Sequence, residues 1–313
     1  MQVQNKVDRG YLSHNFILTN KNQKFFLKQY RHTDKNKVQQ IINIVHFFQS
    51  RGIPTIEPLT NEQNEKITTI GNKHFGLFPY IDKKEVNRGE VNKQMVKSMA
   101  ETLAQIHKIG QKDDLPEAEK KNISWSKDKL DEKAKQVKKV ITDKDKSSQY
   151  DQLAQRTIEA KLKLAQQYPI QPDQLDLEYN CLIHGDFHCE NVFLNEQNKV
   201  AYVYDWDKAK MAPRCWEVIR SLIYTIFNKK YNKQKINQAQ LYLKTYQDNY
   251  KLTNEQVETG VKAIALNNIY SMWVLEEYYL KDNKRVKSLL EAELKRIQFF
   301  GEGLNKVVER FKV

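Results

Sequence analysis

The polar residues best suited to chemistry lie in two short stretches near the middle of the chain. The first is a His-Gly-Asp tripeptide that ends at Asp186, with Asn191 five positions further on, and the second is an Asp-Trp-Asp tripeptide from Asp205 to Asp207. An amide oxygen and a carboxylate are ligands that magnesium accepts, and a carboxylate can orient an acceptor hydroxyl and take its proton. The pattern predicts phosphoryl transfer, with Asp186 as the catalytic residue and Asn191 and Asp205 as metal ligands. Asp207 either supports the metal site or binds a second ion.

The local pattern brings these residues together. Two apolar segments, 192–194 and 200–204, flank a polar turn at 195–199. This arrangement predicts an antiparallel hairpin, which would place Asn191 and Asp205 at the same end.

The two motifs resemble the catalytic loop and the metal-binding aspartate of the aminoglycoside phosphotransferase and choline kinase superfamily. That group is similar in fold to protein kinases but usually phosphorylates small molecules. Protein kinases carry His-Arg-Asp where this chain has His-Gly-Asp, which favours the small-molecule branch. The resemblance implies an α+β, bilobal protein-kinase-like fold, with a small antiparallel β-sheet lobe carrying one helix and a larger, mainly helical lobe. ATP and magnesium would bind between the lobes.

We predict that residues 1–80 form the small nucleotide-binding lobe. Apolar segments predict strand pairs at 16–18 with 25–30 and at 67–70 with 74–78, and helical spacing predicts a helix over about 34–50. Lys28 resembles the lysine that steadies nucleotide phosphates in this fold. The loop before the first hairpin, with Gly10 and Ser13, resembles the loop that covers the phosphates, although an ordinary turn accounts for it equally well. Phe78 and Tyr80 lie in a segment that resembles the hinge, whose backbone binds adenine.

Two positions depart from the family pattern. The predicted small-lobe helix has no glutamate to pair with Lys28, so Gln40 or Glu57 takes that role or the lysine assignment is wrong. Glu217 stands where the family has an aspartate that braces the catalytic loop. Its longer side chain can still reach the loop, but we do not expect an unchanged hydrogen-bond pattern.

We predict that residues 81–313 form the large catalytic and substrate-binding lobe. Helical patterns cover 91–110, 150–168, 253–281 and 284–311. The stretch 111–148 is rich in lysine, aspartate and glutamate, which predicts an exposed charged helical insertion.

Candidate substrate residues follow from side-chain chemistry. Trp273 and Glu276 share an apolar and aromatic stripe in the 253–281 helix, where a carboxylate beside aromatic rings would suit a cationic amine. Alternatively the stripe packs on the lobe and Glu276 pairs with a nearby lysine. His188 either contacts substrate or packs.

Composition restricts the class of protein. The chain has 313 residues, 40% of them hydrophobic, and a formal net charge of +13. Its lysines are interspersed with acidic residues, which favours a solvated basic surface over a nucleic-acid or membrane partner. Since no apolar run approaches the roughly 20 residues needed to cross a bilayer, we expect a cytoplasmic protein. Three cysteines without metal-ligand spacing suggest neither a disulfide framework nor a zinc site.

The leading hypothesis is an ATP- and magnesium-dependent phosphotransferase that acts on a hydroxyl of a small metabolite, such as an amino alcohol, a sugar or an aminoglycoside. A catalytically idle binding module and a protein kinase are the alternatives. The sequence does not distinguish ATP from GTP.

Overall fold

The computed structural model describes residues 2–7, 14–82 and 86–313. Most of the predicted phosphate-covering loop falls in the first gap, so Gly10 and Ser13 lie outside the described residues. The described parts form a small antiparallel sheet with one long helix, followed by a larger, mainly helical part. The predicted α+β architecture is confirmed.

The small sheet has the strand order β1-β2-β3-β5-β4, with antiparallel neighbours throughout. Its strands are β1 (Gln2–Val7), β2 (His14–Asn20), β3 (Gln23–Gln29), β4 (Thr68–Ile70) and β5 (Lys73–Pro79). Both predicted strand pairs are confirmed, as β2 with β3 and β4 with β5. Strand β1 was not predicted, because Val3 and Val7 are the only apolar positions in it.

Helix α1 (Lys35–Gln49) connects the sheet to the rest of the molecule, because both of its sides are buried. The side chain of Asp34 caps its first turn by accepting a hydrogen bond from the backbone N–H of Asn36 at 2.9 Å. One side places Val38 in a cluster under the sheet, and the other places Phe48 in the main core. Burial of one such side chain contributes about 1.5–3 kcal/mol to the free energy of folding. Helix α1 is therefore stabilised by packing against both the sheet and the main core.

The larger part builds the main core from helices and two short strand pairs. The helices are α2 (Lys93–Ile109), α3 (Lys127–Thr142), α4 (Gln149–Gln167), α5 (Arg214–Ile226), α6 (Lys233–Asn249), α7 (Asn254–Tyr270), α8 (Trp273–Tyr279), α9 (Leu290–Phe300) and α10 (Leu304–Phe311). The strands are β6 (Cys181–Ile183), β7 (Val192–Leu194), β8 (Val200–Val203) and β9 (Lys210–Ala212). Within the described ranges, no helix combines the length and apolar character needed to span a bilayer.

The predicted insertion at 111–148 is only partly helical and is not fully exposed. Helix α3 occupies its second half and buries Leu130, Ala134, Val137 and Ile141. These apolar residues recur at helical spacing, which is enough to pack one face of α3 onto α4 and α8. The expectation of an exposed segment is therefore wrong for this face.

The long helix predicted over 253–281 is wrong, because the chain breaks between α7 and α8. The ammonium group of the fully buried Lys161 donates hydrogen bonds to the carbonyl oxygens of Asn268 and Ser271, the second at 2.7 Å. These bonds satisfy carbonyl groups that end α7, so the helix terminates there. The predicted 284–311 helix is likewise divided, with a break at Gly303, whose φ is +119°.

Candidate active site

The strand pairs of the larger part bring the two polar motifs together. The predicted hairpin is confirmed as β7 with β8, in which Val192 pairs with Val203. The backbone N–H of Tyr204 extends this pairing by donating to the carbonyl oxygen of Asn191 at 3.1 Å. The loops that contain Asp186 and Asp205 therefore face one cleft.

Asp186 is held between two cations. One carboxylate oxygen lies 2.5 Å from Nη2 of Arg220, and the other lies 2.6 Å from Nζ of Lys208. Burial alone would raise the pKa of Asp186, but the charges of Arg220, Lys208 and His188 outweigh it and hold the pKa well below its usual range. The carboxylate is therefore ionised at neutral pH. The sequence analysis missed Arg220 and Lys208; only Lys208, directly after the Asp-Trp-Asp tripeptide, gave any positional signal.

Glu217 braces the loop that contains His184 and Asp186, so its longer side chain does reach. This fully buried carboxylate accepts hydrogen bonds from the backbone N–H groups of His184, at 3.0 Å, and Gly185. It also accepts one from Nε2 of His107 at 3.0 Å. Because a carboxylate can only accept, His107 carries its proton on Nε2, and Nδ1 accepts from the Tyr246 hydroxyl at 2.8 Å.

The two histidines of the loop have separate contacts. His184 Nδ1 accepts from the backbone N–H of Asp186 at 3.2 Å, and its Nε2 contacts the carbonyl oxygen of Tyr204 at 3.0 Å. Through these two contacts His184 braces the loop. Nε2 of His188 lies 3.4 Å from the Asp186 carboxylate. Burial lowers the pKa of both histidines, which favours neutral rings.

Lys28 reaches across the cleft from β3 to the second motif. Its ammonium lies 2.8 Å from Asp205 and 2.6 Å from Asp207. Among the described residues these aspartates, and neither Gln40 nor Glu57, are its hydrogen-bond partners. Glu57 instead contacts His46 and Lys66. Burial would lower the pKa of Lys28, but the two aspartates raise it overall, so the lysine stays charged.

The donor set around Asp205 fits a hard cation. Nδ2 of Asn191 donates to the carbonyl oxygen of Asp186 at 2.9 Å, so the amide oxygen is the atom that this side chain could offer to a metal ion. One carboxylate oxygen of Asp207 is buried without a hydrogen-bond partner among the described residues. No cluster of three or more histidine, cysteine or acidic side chains could hold a metal within those ranges. Magnesium suits such an incomplete set, because it usually takes one or two carboxylates together with substrate phosphates.

A cavity of about 940 Å³ lies between the sheet and the helical part. Its sheet side is lined by Lys28, Phe78 and Tyr80, and its helical side by His188 and Trp273, so these predicted residues share one cleft.

Glu276 does not line this cleft among the described residues and instead lies 3.9 Å from Lys133. Its role as an amine-binding residue stays a prediction, and its place outside the cleft lining does not support that role. The alternative interpretation, a carboxylate paired with a nearby lysine, is the one found.

A small antiparallel sheet, a larger helical part and a charged cleft between them define a kinase-like small-molecule phosphotransferase. A family model described as the phosphotransferase enzyme family (APH) matches residues 4–252. The chain therefore belongs to this family, whose members act on hydroxyl acceptors. No curated protein matches the chain.

Solved structures of low sequence identity share the fold. The chain is similar to an aminoglycoside phosphotransferase from Alicyclobacillus acidocaldarius, with 14% identity, a TM-score of 0.58, and coverage of 98% of this chain and 93% of that one. A spectinomycin phosphotransferase in complex with ADP and spectinomycin gives 17% identity and a TM-score of 0.59, with coverage of 99% and 91%. A microcompartment-associated aminopropanol kinase gives 11% identity and a TM-score of 0.62, with coverage of 96% and 92%.

Proposed function

We propose that the protein transfers the terminal phosphoryl group of ATP, with Mg²⁺, to a hydroxyl group of a small metabolite. The observation that carries this proposal is the convergence of Lys28, Asp186, Asn191 and Asp205 on one cavity. The cavity volume, about 940 Å³, supports it further, because ligand pockets of roughly 300–1,000 Å³ are typical for small molecules and cofactors.

The nucleotide would occupy the side of the cleft that faces the sheet, with its adenine near Phe78 and Tyr80. Lys28 would bind the phosphates. Asn191, Asp205 and Asp207 would hold Mg²⁺, which offsets the negative charge of the phosphates. One lysine against two aspartates leaves a net negative charge in the site, which suits a divalent cation.

Asp186 would orient the acceptor hydroxyl and receive its proton. The low pKa of Asp186 makes it a weak base. Weak basicity is compatible with phosphoryl transfer, because its loose transition state depends mainly on positioning and electrostatic stabilisation. Arg220 and Lys208 would reduce the repulsion between the Asp186 carboxylate and the incoming phosphoryl group.

The test is Mg²⁺-dependent ATP turnover over a panel of hydroxyl compounds, with Asp186→Asn as the variant. Since a positioned acid–base residue contributes typically 10²–10⁴-fold, we expect kcat to fall by roughly that factor while AMP-PNP affinity stays near that of the parent. Asp248→Asn, on the exposed side of α6, is the matched control. A parent that binds AMP-PNP but turns over no acceptor would support the idle binding module, and an active Asp186→Asn enzyme would refute the catalytic assignment.

A further inference from the structure

Three arginines surround one tyrosine on the helical side of the cleft. The guanidinium carbons of Arg88, Arg220 and Arg296 lie 5.2, 4.8 and 4.4 Å from the ring centre of Tyr224. All four side chains line the same cavity as Asp186. We call Arg88, Arg220 and Arg296 the arginine cluster. Burial would raise the pKa of Tyr224, yet the cluster lowers it, which reports a strongly positive local field.

The carboxylates on this side of the cavity do not cancel that field, because each one already has a cation. Asp186 is paired with two, as described above. Glu190 lies 2.8 Å from Nη2 of Arg88, and Glu293 lies 2.7 Å from Nζ of the fully buried Lys161. Once these pairs are counted, positive charge remains.

Arg296 carries the excess. Its Nη1 donates to two neutral oxygens, the Tyr224 hydroxyl at 3.1 Å and the Asn268 amide oxygen at 2.8 Å. Among the described residues it has no carboxylate within salt-bridge distance, and its Nε is buried without a hydrogen-bond partner. Nη1 of Arg220 is buried and lacks a partner in the same sense. A buried guanidinium group whose N–H donors lack acceptors destabilises the protein, unless a bound ligand accepts hydrogen bonds from those donors.

We propose that the acceptor is an anion, namely a small hydroxyl compound that also carries a carboxylate or a phosphate ester. The proposal rests on the proposed function, because it assigns the helical side of the cleft to the acceptor. Arg220 contacts Asp186 and also lies over the ring of Tyr224, whose hydroxyl accepts a hydrogen bond from Arg296. An acceptor hydroxyl at Asp186 would therefore place a neighbouring anionic group within reach of Arg296.

Guanidinium chemistry matches this ligand class. Arginine donates paired, parallel hydrogen bonds to carboxylate and phosphate oxygens, and such charge-assisted bonds are roughly twice as strong as neutral ones. On the helical side an amine would instead meet like charge, because Asp186, Glu190 and Glu293 each already have a cation. Oε2 of Glu293 is buried without a hydrogen-bond partner among the described residues, but Lys161 balances the charge of this carboxylate. The cluster thus selects for an anion and against a cation.

The experiment compares ligands that share a skeleton and differ in charge. Binding is measured by calorimetry with AMP-PNP and Mg²⁺ saturating, so that the nucleotide side is filled. One series is glucose, glucosamine, glucuronate and glucose 6-phosphate, and a second is glycerol, 3-amino-1,2-propanediol, glycerate and glycerol 3-phosphate. We expect an anionic member to bind at least tenfold more tightly than its neutral and cationic counterparts in one series or both. Equal affinities, no binding in either series, or tighter binding of the amines would overturn the proposal.

Variants then locate the effect. Arg296→Met should weaken the anionic ligand by about 10- to 100-fold, since a hydrogen bond to a charged group is worth roughly 1.5–3 kcal/mol. Arg296→Lys, which keeps the charge, should retain part of the affinity and guards against a variant that fails to fold. Arg156→Met, at an exposed position of α4, is the control and should bind as the parent does.

Affinity for AMP-PNP, measured without acceptor, separates this proposal from the proposed function. If the Arg296→Met variant loses nucleotide and anion affinity together, the arginine serves the nucleotide and the proposal fails. The anionic group of the acceptor is then identified by comparing the carboxylate and phosphate members of each series, since the matching group should bind more tightly. If the parent does not bind AMP-PNP, the proposed function fails, while the charge preference can still be measured without nucleotide.

Discussion

Replacement of Glu217 by glutamine tests whether the loop brace holds the catalytic aspartate in place. Glutamine keeps the shape of the side chain but offers one acceptor oxygen where the carboxylate has two. In its better orientation the amide oxygen keeps the bonds from His184 and His107, and the NH₂ group then faces the backbone N–H of Gly185. The donor directly before Asp186 is left unsatisfied.

The expected loss follows from these three bonds. Two of them change from charge-assisted to neutral, at a cost of about 1 kcal/mol each, and one buried donor loses its partner, at a cost of about 1–3 kcal/mol. The sum is roughly 3–5 kcal/mol. Removing a buried charge returns some desolvation energy, so we expect the free energy of unfolding to fall by about 2–4 kcal/mol. Because Gly185 precedes Asp186, we expect kcat to fall by roughly 10- to 100-fold.

Urea unfolding at pH 7, with steady-state kinetics in parallel, measures both effects. The matched control is Glu258→Gln, which replaces a half-buried carboxylate paired with Lys262 on α7 and should change the unfolding free energy by no more than about 0.5 kcal/mol. If Glu217→Gln stays within about 1 kcal/mol of the parent and retains its kcat, the reasoning about the brace is refuted.

The same variant has a predicted pH signature. Burial would raise the pKa of Glu217, but its bond with His107 and the nearby positive charges lower it overall. A depressed folded pKa gives stability that is present above the ordinary glutamate value of about 4.3 and lost as the pH falls through the folded value. The difference in unfolding free energy between parent and Glu217→Gln should therefore narrow below about pH 4.

Two further substitutions test other parts of the fold. Gly185 has φ +81°, and an added Cβ would lie 2.0 Å from the carbonyl oxygen of Lys208. At Gly71, φ is +61° and nothing lies within 4 Å of an added Cβ. Gly185→Ala should therefore lower the melting temperature far more than the control Gly71→Ala. The control should cost only the left-handed strain of about 1–2 kcal/mol, and equal shifts would contradict the predicted clash. Asp151 accepts bonds from Lys144 and the backbone of Ser148, which hold its pKa low against the effect of burial. Asp151→Asn should lower the unfolding free energy at pH 7 by about 1–3 kcal/mol. It should also make the unfolding free energy less sensitive to acid below about pH 4. An unchanged sensitivity to acid would contradict this account of Asp151.

The sequence predicted the motifs that depend on local order. The polar turn between β7 and β8 indicated the hairpin that places Asn191 beside the Asp205 loop, and the apolar segment 25–30 indicated the strand that carries Lys28. Both predictions used residues close together in the chain. The partners of Lys28 could not be found in this way, since Asp205 and Asp207 lie more than 170 positions away and approach it only when the sheet packs on the larger part.

The sequence did not show the layout of the acceptor side, because that layout depends on a contact between residues far apart in the chain. A continuous helix over 253–281 would have placed Trp273 and Glu276 on one stripe with the apolar residues before them, which predicted an amine; both residues instead lie on the separate short helix α8. Lys161, on α4, binds the carbonyl groups at the end of α7 and breaks that stripe. The same lysine also pairs with Glu293, a carboxylate whose charge acts on Arg296. This buried lysine therefore ends α7 before the predicted stripe and also balances the charge of Glu293, and the anionic acceptor proposed above depends on the second contact.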